Sequence, residues 1–250
     1  MSFENATAIV IRTVEFSETS LIVTLLTREM GKVAGLAKGG RRIKGPFDSA
    51  LDLLSRCRIA FLRKSSDSLD LLTEAKLLRR FRPAGRDLTP WYAGYYIAEL
   101  LGELTDQYDP HPELFDLTDG TLDALIDGRP VAPHLLHFEL QALRLLGHAP
   151  ALWECVDCGR RVDDRRRVPF GLIDGGVLCP LHRVGKRHVA SISSGALELM
   201  RQFAAESSDW EQVEIKRGIH GELRGVVNQY MAHLLGRRPR TIGYLNISVD

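Results

Sequence analysis

Residues 21–37 read Leu21-Ile22-Val23-Thr24-Leu25-Leu26-Thr27-Arg28-Glu29-Met30-Gly31-Lys32-Val33-Ala34-Gly35-Leu36-Ala37. Two apolar runs flank a polar turn, Thr27 to Lys32, which is the pattern of a β-hairpin. Upstream, Ala8 to Val14 is equally β-rich. Downstream, Gly39, Gly40, Gly45 and Pro46 break the pattern. Leu53 to Lys64 then alternates, with Ser55, Cys57, Ile59 and Phe61 on one side and Arg56, Arg58, Ala60 and Leu62 on the other. Leu69 to Ala75 supplies a fifth strand. Five short antiparallel strands in about 80 residues predict a small barrel of the five-stranded OB-fold type.

After Pro83 the period becomes helical. Thr89-Pro90 reads as an N-cap followed by proline in the first turn, and Trp91 to Leu104 is apolar on much of its circumference. Leu114, Phe115, Thr118, Leu122, Leu125 and Ile126 form a stripe that stops at Gly128. Leu136, Leu140, Leu143 and Leu146 form another that stops at Gly147. Residues 151–190 are rich in Cys, His and Arg and show little periodicity. Helices resume after a Ser193 or Ser194 cap, and Ile219, Leu223, Val226, Val227, Tyr230 and Leu234 mark a longer one closed by Gly236. The expected fold class is α+β and multidomain. It has an N-terminal OB barrel over 1–80, an α-helical domain from 81–150 and 191–250, and a small zinc-binding insertion over 151–190. The two helical stretches are expected to pack as one bundle from which the insertion protrudes.

The 44% hydrophobic and 26% charged fractions are ordinary for a soluble globular chain. No apolar run reaches the roughly 18 residues of a membrane span, and Met1 to Asn5 lacks the start of a signal peptide. A cytoplasmic, nucleoid-associated protein with reduced cysteines is the expectation. The net charge of +1 conceals an uneven distribution. Residues 1–82 carry 15 Lys/Arg against 9 Asp/Glu, or +6, and residues 83–150 carry 3 against 11, or −8. A basic N-terminal module for a polyanion, joined to an acidic body that stays off it, accounts for that split.

Cys155-Val156-Asp157-Cys158 is followed, 20 residues later, by Cys179-Pro180-Leu181-His182. Two residues between the members of each pair let both donors on one turn grip the same ion, and two such turns complete a tetrahedron. A Cys3His set leaves no open position, so one structural Zn²⁺ is expected at Cys155, Cys158, Cys179 and His182. Cys57, alone in a strand, reads as a small core residue. His137-Phe138-Glu139 upstream of the first pair loosely matches the H-x-E…P-C-x-x-C pattern of zinc deaminases. But Glu154 stands where proline should be, and that reading leaves Cys179 and His182 unused. There is no G-x-x-x-x-G-K-[ST], H-E-x-x-H or G-x-S-x-G. A zinc hydrolase or deaminase, and a zinc-stabilised scaffold without DNA binding, are the alternatives to a non-enzymatic nucleic-acid binder.

Lys38, Arg41, Arg42 and Lys44 place four cations among Gly39, Gly40 and Gly45. Glycine lets backbone approach a phosphate chain closely, and the cations release its counterions. Arg12, Arg56 and Arg58, with Arg63 and Lys64, extend this candidate DNA-binding surface across the barrel. Its few aromatics, Phe3, Phe16, Phe47, Phe61 and Phe81, imply that phosphate contacts dominate.

The stretch from Ile9 to Arg42, IVIRTVEFSETSLIVTLLTREMGKVAGLAKGGRR, resembles the N-terminal OB domain of the RecO family. The family continues with a helical domain and, in many members, a C-x-x-C…C-x-x-C zinc motif. It ends in a stretch similar to Leu235 to Thr241, LGRRPRT. His182 departs from the usual last cysteine. The resemblance implies recombinational repair without nucleotide hydrolysis. It implies binding of single- and double-stranded DNA, annealing of complementary strands, action with RecR, and help for RecA in displacing single-strand-binding protein (SSB).

Overall fold

The structure is a computed structural model that describes residues 2–42, 45–47, 49–64, 69–163, 167–206 and 210–245. Five strands, β1 (Ser2–Glu15), β2 (Leu21–Thr27), β3 (Gly31–Ala37), β4 (Arg56–Arg63) and β5 (Asp70–Arg79), close into a barrel in the order β1-β2-β3-β5-β4. Closure depends on the 14-residue β1. Its first half pairs with β4 and its second half with β2, and a register shift between Val10 and Arg12 marks the bend. The expectation of purely antiparallel pairing needs one correction. β3 and β5 run parallel, from Gly35↔Asp70 to Ala37↔Leu72, because four antiparallel joins around a ring of five strands leave β5 running the same way as β3. That single parallel join is what shuts an OB-type barrel.

Alternation puts Ala6, Ala8, Val10, Val23, Leu25, Val33, Cys57, Ile59, Phe61 and Leu72 inside, with Phe47 and Leu51 completing the core. Cys57 is a core residue, as expected, and burial pushes its thiol up to about 12.

The chain forms two compact units, Met1–Arg129 and Pro130–Asp250. Helices α1 (Thr89–Leu104) and α2 (Pro112–Ile126) share the first unit with the barrel, α1 packing on β1 and α2 on β2. The reason is the barrel's own outer surface, where apolar Ile9 and Leu54 meet Leu122 and Ile126 of α2. The cap of α1 also differs from expectation. Asp87 accepts from the backbone N–H of Thr89 at 2.9 Å and from its hydroxyl at 2.7 Å. At the other end Lys32 of β3 donates to the carbonyls of Gly102, at 2.8 Å, and Thr105.

In the second unit α3 (Val131–Leu145) packs on α5 (Ser194–Ala204), and α5 on α6 (Arg217–Leu234). Ser193 caps α5 by accepting from the N–H of Ala196. Glu139 of α3 is fully buried and ion-paired with Arg224 of α6. Between α3 and α5 lies a small three-stranded sheet, β7 (Gly176–Val177), β6 (Val168–Gly171) and β8 (Val189–Ile192), with the one-turn α4 (Pro180–Arg183). Among the described residues no helix is long and apolar enough to cross a membrane.

Candidate metal centre and basic barrel surface

Two knuckles are built side by side. In the first, the N–H of Gly159 bonds back to the carbonyl of Cys155 at 2.8 Å, and Gly159 takes φ +68°, a conformation that favours glycine. In the second, the N–H groups of His182 and Arg183 both bond to the carbonyl of Cys179. The strand β7 fastens them together. Val177 donates to Ala151 at 2.8 Å, and Val156 donates to Val177 at 3.1 Å. Gly176 lies so close to the Ala151 carbonyl that a Cβ there would collide with it.

This backbone brings the ligand atoms of Cys155, Cys158, Cys179 and His182 within 4.8 Å of one another. Cys158 and Cys179 sulfurs are 4.0 Å apart, and Nδ1 of His182 is 3.1 Å from the Cys179 sulfur. A tetrahedral ion bound at about 2.3 Å from sulfur and about 2.1 Å from nitrogen separates its ligands by about 3.5–3.8 Å, so the four residues can hold a metal ion. Burial raises the Cys155 thiol, but the backbone N–H groups of Cys179, Asp157 and Cys158 outweigh it and bring the thiol down to about 6. The surroundings therefore favour thiolate, the ligating form. Arg160 hydrogen-bonds to the Cys158 sulfur, and Lys186 bridges Asp157 at 3.0 Å to Asp174 at 2.5 Å, tying the first knuckle to the β6–β7 turn.

His137 and Glu139 of the deaminase alternative are engaged elsewhere. His137 stacks on Trp210 with centroids 4.1 Å apart, and Glu139 holds Arg224. Neither belongs to the four-residue cluster.

The barrel's cations divide into two sets. Those facing α2 are neutralised by a stripe of aspartates at helical spacing. Arg28 pairs with Asp116 at 2.8 Å, Arg56 with Asp119, and Arg79 with Asp123 at 2.7 Å and Asp127 at 3.1 Å. Much of the acidic helix is therefore fixed to the barrel's own arginines. Arg56, of the expected DNA-binding set, is half-buried against α2 and ion-paired with Asp119. Arg63 lies over the ring of Tyr108 at 4.0 Å. The second set faces water. Lys38, Arg41 and Arg42 are exposed on the turn after β3. The N–H of Arg41 bonds to the carbonyl of Thr19 at 3.0 Å and its guanidinium to Glu15 at 3.1 Å, anchoring the turn to the β1–β2 connection. Arg12 is exposed on β1, and Arg58 is exposed beside Lys76, its register partner in β5. Lys44 lies outside the described residues. Sequence reasoning missed Lys76, whose signal was its outward place in the alternation of β5.

A closed OB-type barrel, followed by helices that carry a Cys3His cluster able to hold a metal ion, defines the class of protein. Residues 1–81 match the family described as Recombination protein O N terminal, and residues 85–241 match Recombination protein O C terminal. The chain is 45% identical to DNA repair protein RecO of Rhodopirellula baltica over 97% of its length and 99% of that protein's. It is 35% identical to the RecO of Symbiobacterium thermophilum and 31% to that of Myxococcus xanthus, with 95% or more of each chain covered. The chain belongs to the RecO family of DNA repair proteins.

Proposed function

We propose that the protein is a recombinational DNA-repair mediator that works by binding, without catalytic turnover. Lys38, Arg41 and Arg42 meet DNA phosphates, with Arg12 and Arg58 extending the path and Lys44 continuing the loop. The observation that carries the reading is the group of exposed cations on one anchored barrel turn, while Arg28, Arg56 and Arg79 are paired with aspartates of α2. Both single- and double-stranded DNA offer the phosphates this surface needs. Cations between two strands lower their mutual repulsion, and base pairing then supplies the free energy of annealing. With RecR, the protein helps RecA replace SSB on gapped DNA.

One Zn²⁺ is held by Cys155, Cys158, Cys179 and His182. All four positions are filled by protein, so the ion supplies folding energy and no chemistry.

Annealing tests the reading. Purified protein should speed the pairing of complementary oligonucleotides, followed by fluorescence quenching, without nucleotide or added metal. Pairing no faster than in buffer would overturn it. ATP hydrolysis or base deamination that is lost on Glu139→Gln would favour the enzyme alternative.

A further inference from the structure

We propose that Trp153, at the base of the first knuckle, is a stacking platform for an unstacked base of a nucleic-acid strand. The site is made by residues of the second unit alone. It rests on the DNA-binding reading above and adds a contact that the barrel does not supply.

The knuckle's own backbone builds the platform. Residues 153–155 run antiparallel to residues 160–162. The N–H of Cys155 bonds to the carbonyl of Arg160 at 2.9 Å, and the N–H of Val162 to the carbonyl of Trp153 at 3.2 Å. The same short hairpin bridges Glu154 to Arg161. Trp153 thus hangs from a ladder whose turn carries Cys155 and Cys158 of the four-residue cluster. Arg201 of α5 lies against the ring, its guanidinium carbon 4.0 Å from the centroid. That guanidinium is buried and fixed. Its Nε and Nη2 donate to the carbonyl of Leu152 at 3.1 and 2.8 Å, and Glu198 lies 3.6 Å from Nη1. A cation held over an aromatic face attracts the ring and sets its orientation before any ligand arrives.

The indole is nevertheless 50% exposed. Arg161, exposed on the returning strand, places its guanidinium 5.7 Å from the same centroid, beyond stacking contact, and Arg160 beside it is exposed too. A held aromatic surface with cations at its edge suits a single strand, in which a base stacks on the ring and the adjoining phosphates meet the guanidiniums. A lysine or arginine of a protein partner is the other common ligand of a tryptophan face, but here it would meet two guanidiniums already in place. A strand brings successive phosphates to Arg160 and Arg161 together, which a free nucleotide does not. In duplex DNA the base faces are stacked inside and cannot reach the indole.

Two variants of the whole protein test this, Trp153→Ala and Trp153→Phe, the second keeping a flat ring on Arg201. Binding to oligo-dT, to an abasic strand of equal phosphate number and to a hairpin duplex is followed by fluorescence anisotropy across a salt series. Trp153→Ala should weaken dT binding about tenfold, leave the abasic strand and the duplex within about twofold, and keep the salt slopes. Trp153→Phe should hold dT affinity within about threefold. Tryptophan emission gives a second readout. Trp91 packs on Phe81 and Trp210 on His137, so the strand should quench Trp153 most, and Trp153→Phe should lose most of that quenching. If Trp153→Ala does not fold, the quenching in Trp153→Phe decides. Equal losses on dT and abasic strands, or quenching unchanged in Trp153→Phe, would overturn the inference. Thymidine monophosphate that quenches the wild-type protein at the strand's own concentration would overturn the assignment to a strand. Wild-type protein that binds none of the DNAs would end the DNA-binding reading itself, and the inference with it.

Discussion

Cys155 is 2% exposed and receives backbone N–H groups from both knuckles, so one thiolate links two turns that the sequence separates by 20 residues. Removing it would take away one of the four residues that can hold a metal ion, and with it the cross-link that the proposed Zn²⁺ makes. Cys155→Ser should drop zinc from about one ion per chain to well below one, measured by elemental analysis, and lower Tm by several degrees. DNA affinity should hold where the fold does. A second residue, His220, is 4% exposed, and its Nε2 has no hydrogen-bond partner among the described residues. Burial, and then the charge of Arg224, push it from an ordinary 6.5 down to about 4. The unfolded chain therefore takes up a proton that the folded chain refuses. Stability is complete above about pH 6.5 and is lost as pH falls toward 4, by about 2 kcal/mol at pH 5. His137, also pushed down to about 4, acts in the same direction. Urea unfolding at pH 7 and pH 5 should show this loss, and His220→Leu should reduce it. An unchanged pH dependence in His220→Leu would contradict the assignment.

At the scale of elements, α2 is fastened to the barrel by aspartates spaced along one face. The seam beside Arg56 and Asp119 encloses a cavity of only about 10 Å³, and Nε of Arg56 is buried there without a hydrogen-bond partner among the described residues. Asp119→Asn should thus cost about 1–3 kcal/mol in urea unfolding, because it leaves a guanidinium poorly paired. Replacing both members, Arg56→Met with Asp119→Leu, should regain most of that loss. This seam is also where sequence reading ran out. The hairpin of β2 and β3 was legible because its alternation and turn chemistry are local, and the ligand pairs were legible because their spacing is itself the chemistry. The stops at Gly128, Gly147 and Gly236 were legible too, and all three take positive φ. The partners of Arg28, Arg56 and Arg79 were not, since they lie 44 to 88 residues away and a charge count cannot say which acid meets which base. The strands β6, β7 and β8 are two to four residues long and hold Pro169 and three glycines' worth of turn around them, too short for periodicity to register. Which helices joined the barrel was likewise hidden, because an apolar stripe does not name its partner.

Over the whole molecule the +1 net charge is the sum of local arrangements with different purposes. Aspartates of α2 cancel the arginines of one barrel side, Lys32 caps α1, and Lys186 ties the metal knuckle to its neighbouring turn. Lys38, Arg41 and Arg42 remain exposed together on one barrel turn, the surface proposed to meet DNA. Each phosphate neutralised on a single strand contributes about −0.7 to the slope of log K against log salt. The deciding measurement is the salt dependence of single-strand binding by the variant Arg41→Ala with Arg42→Ala. Affinity should fall and the slope should flatten by about 1 to 1.5, alike for different base sequences and with Tm nearly unchanged. A slope identical to that of the wild-type protein would contradict the account and show the turn to be ordinary solvated surface.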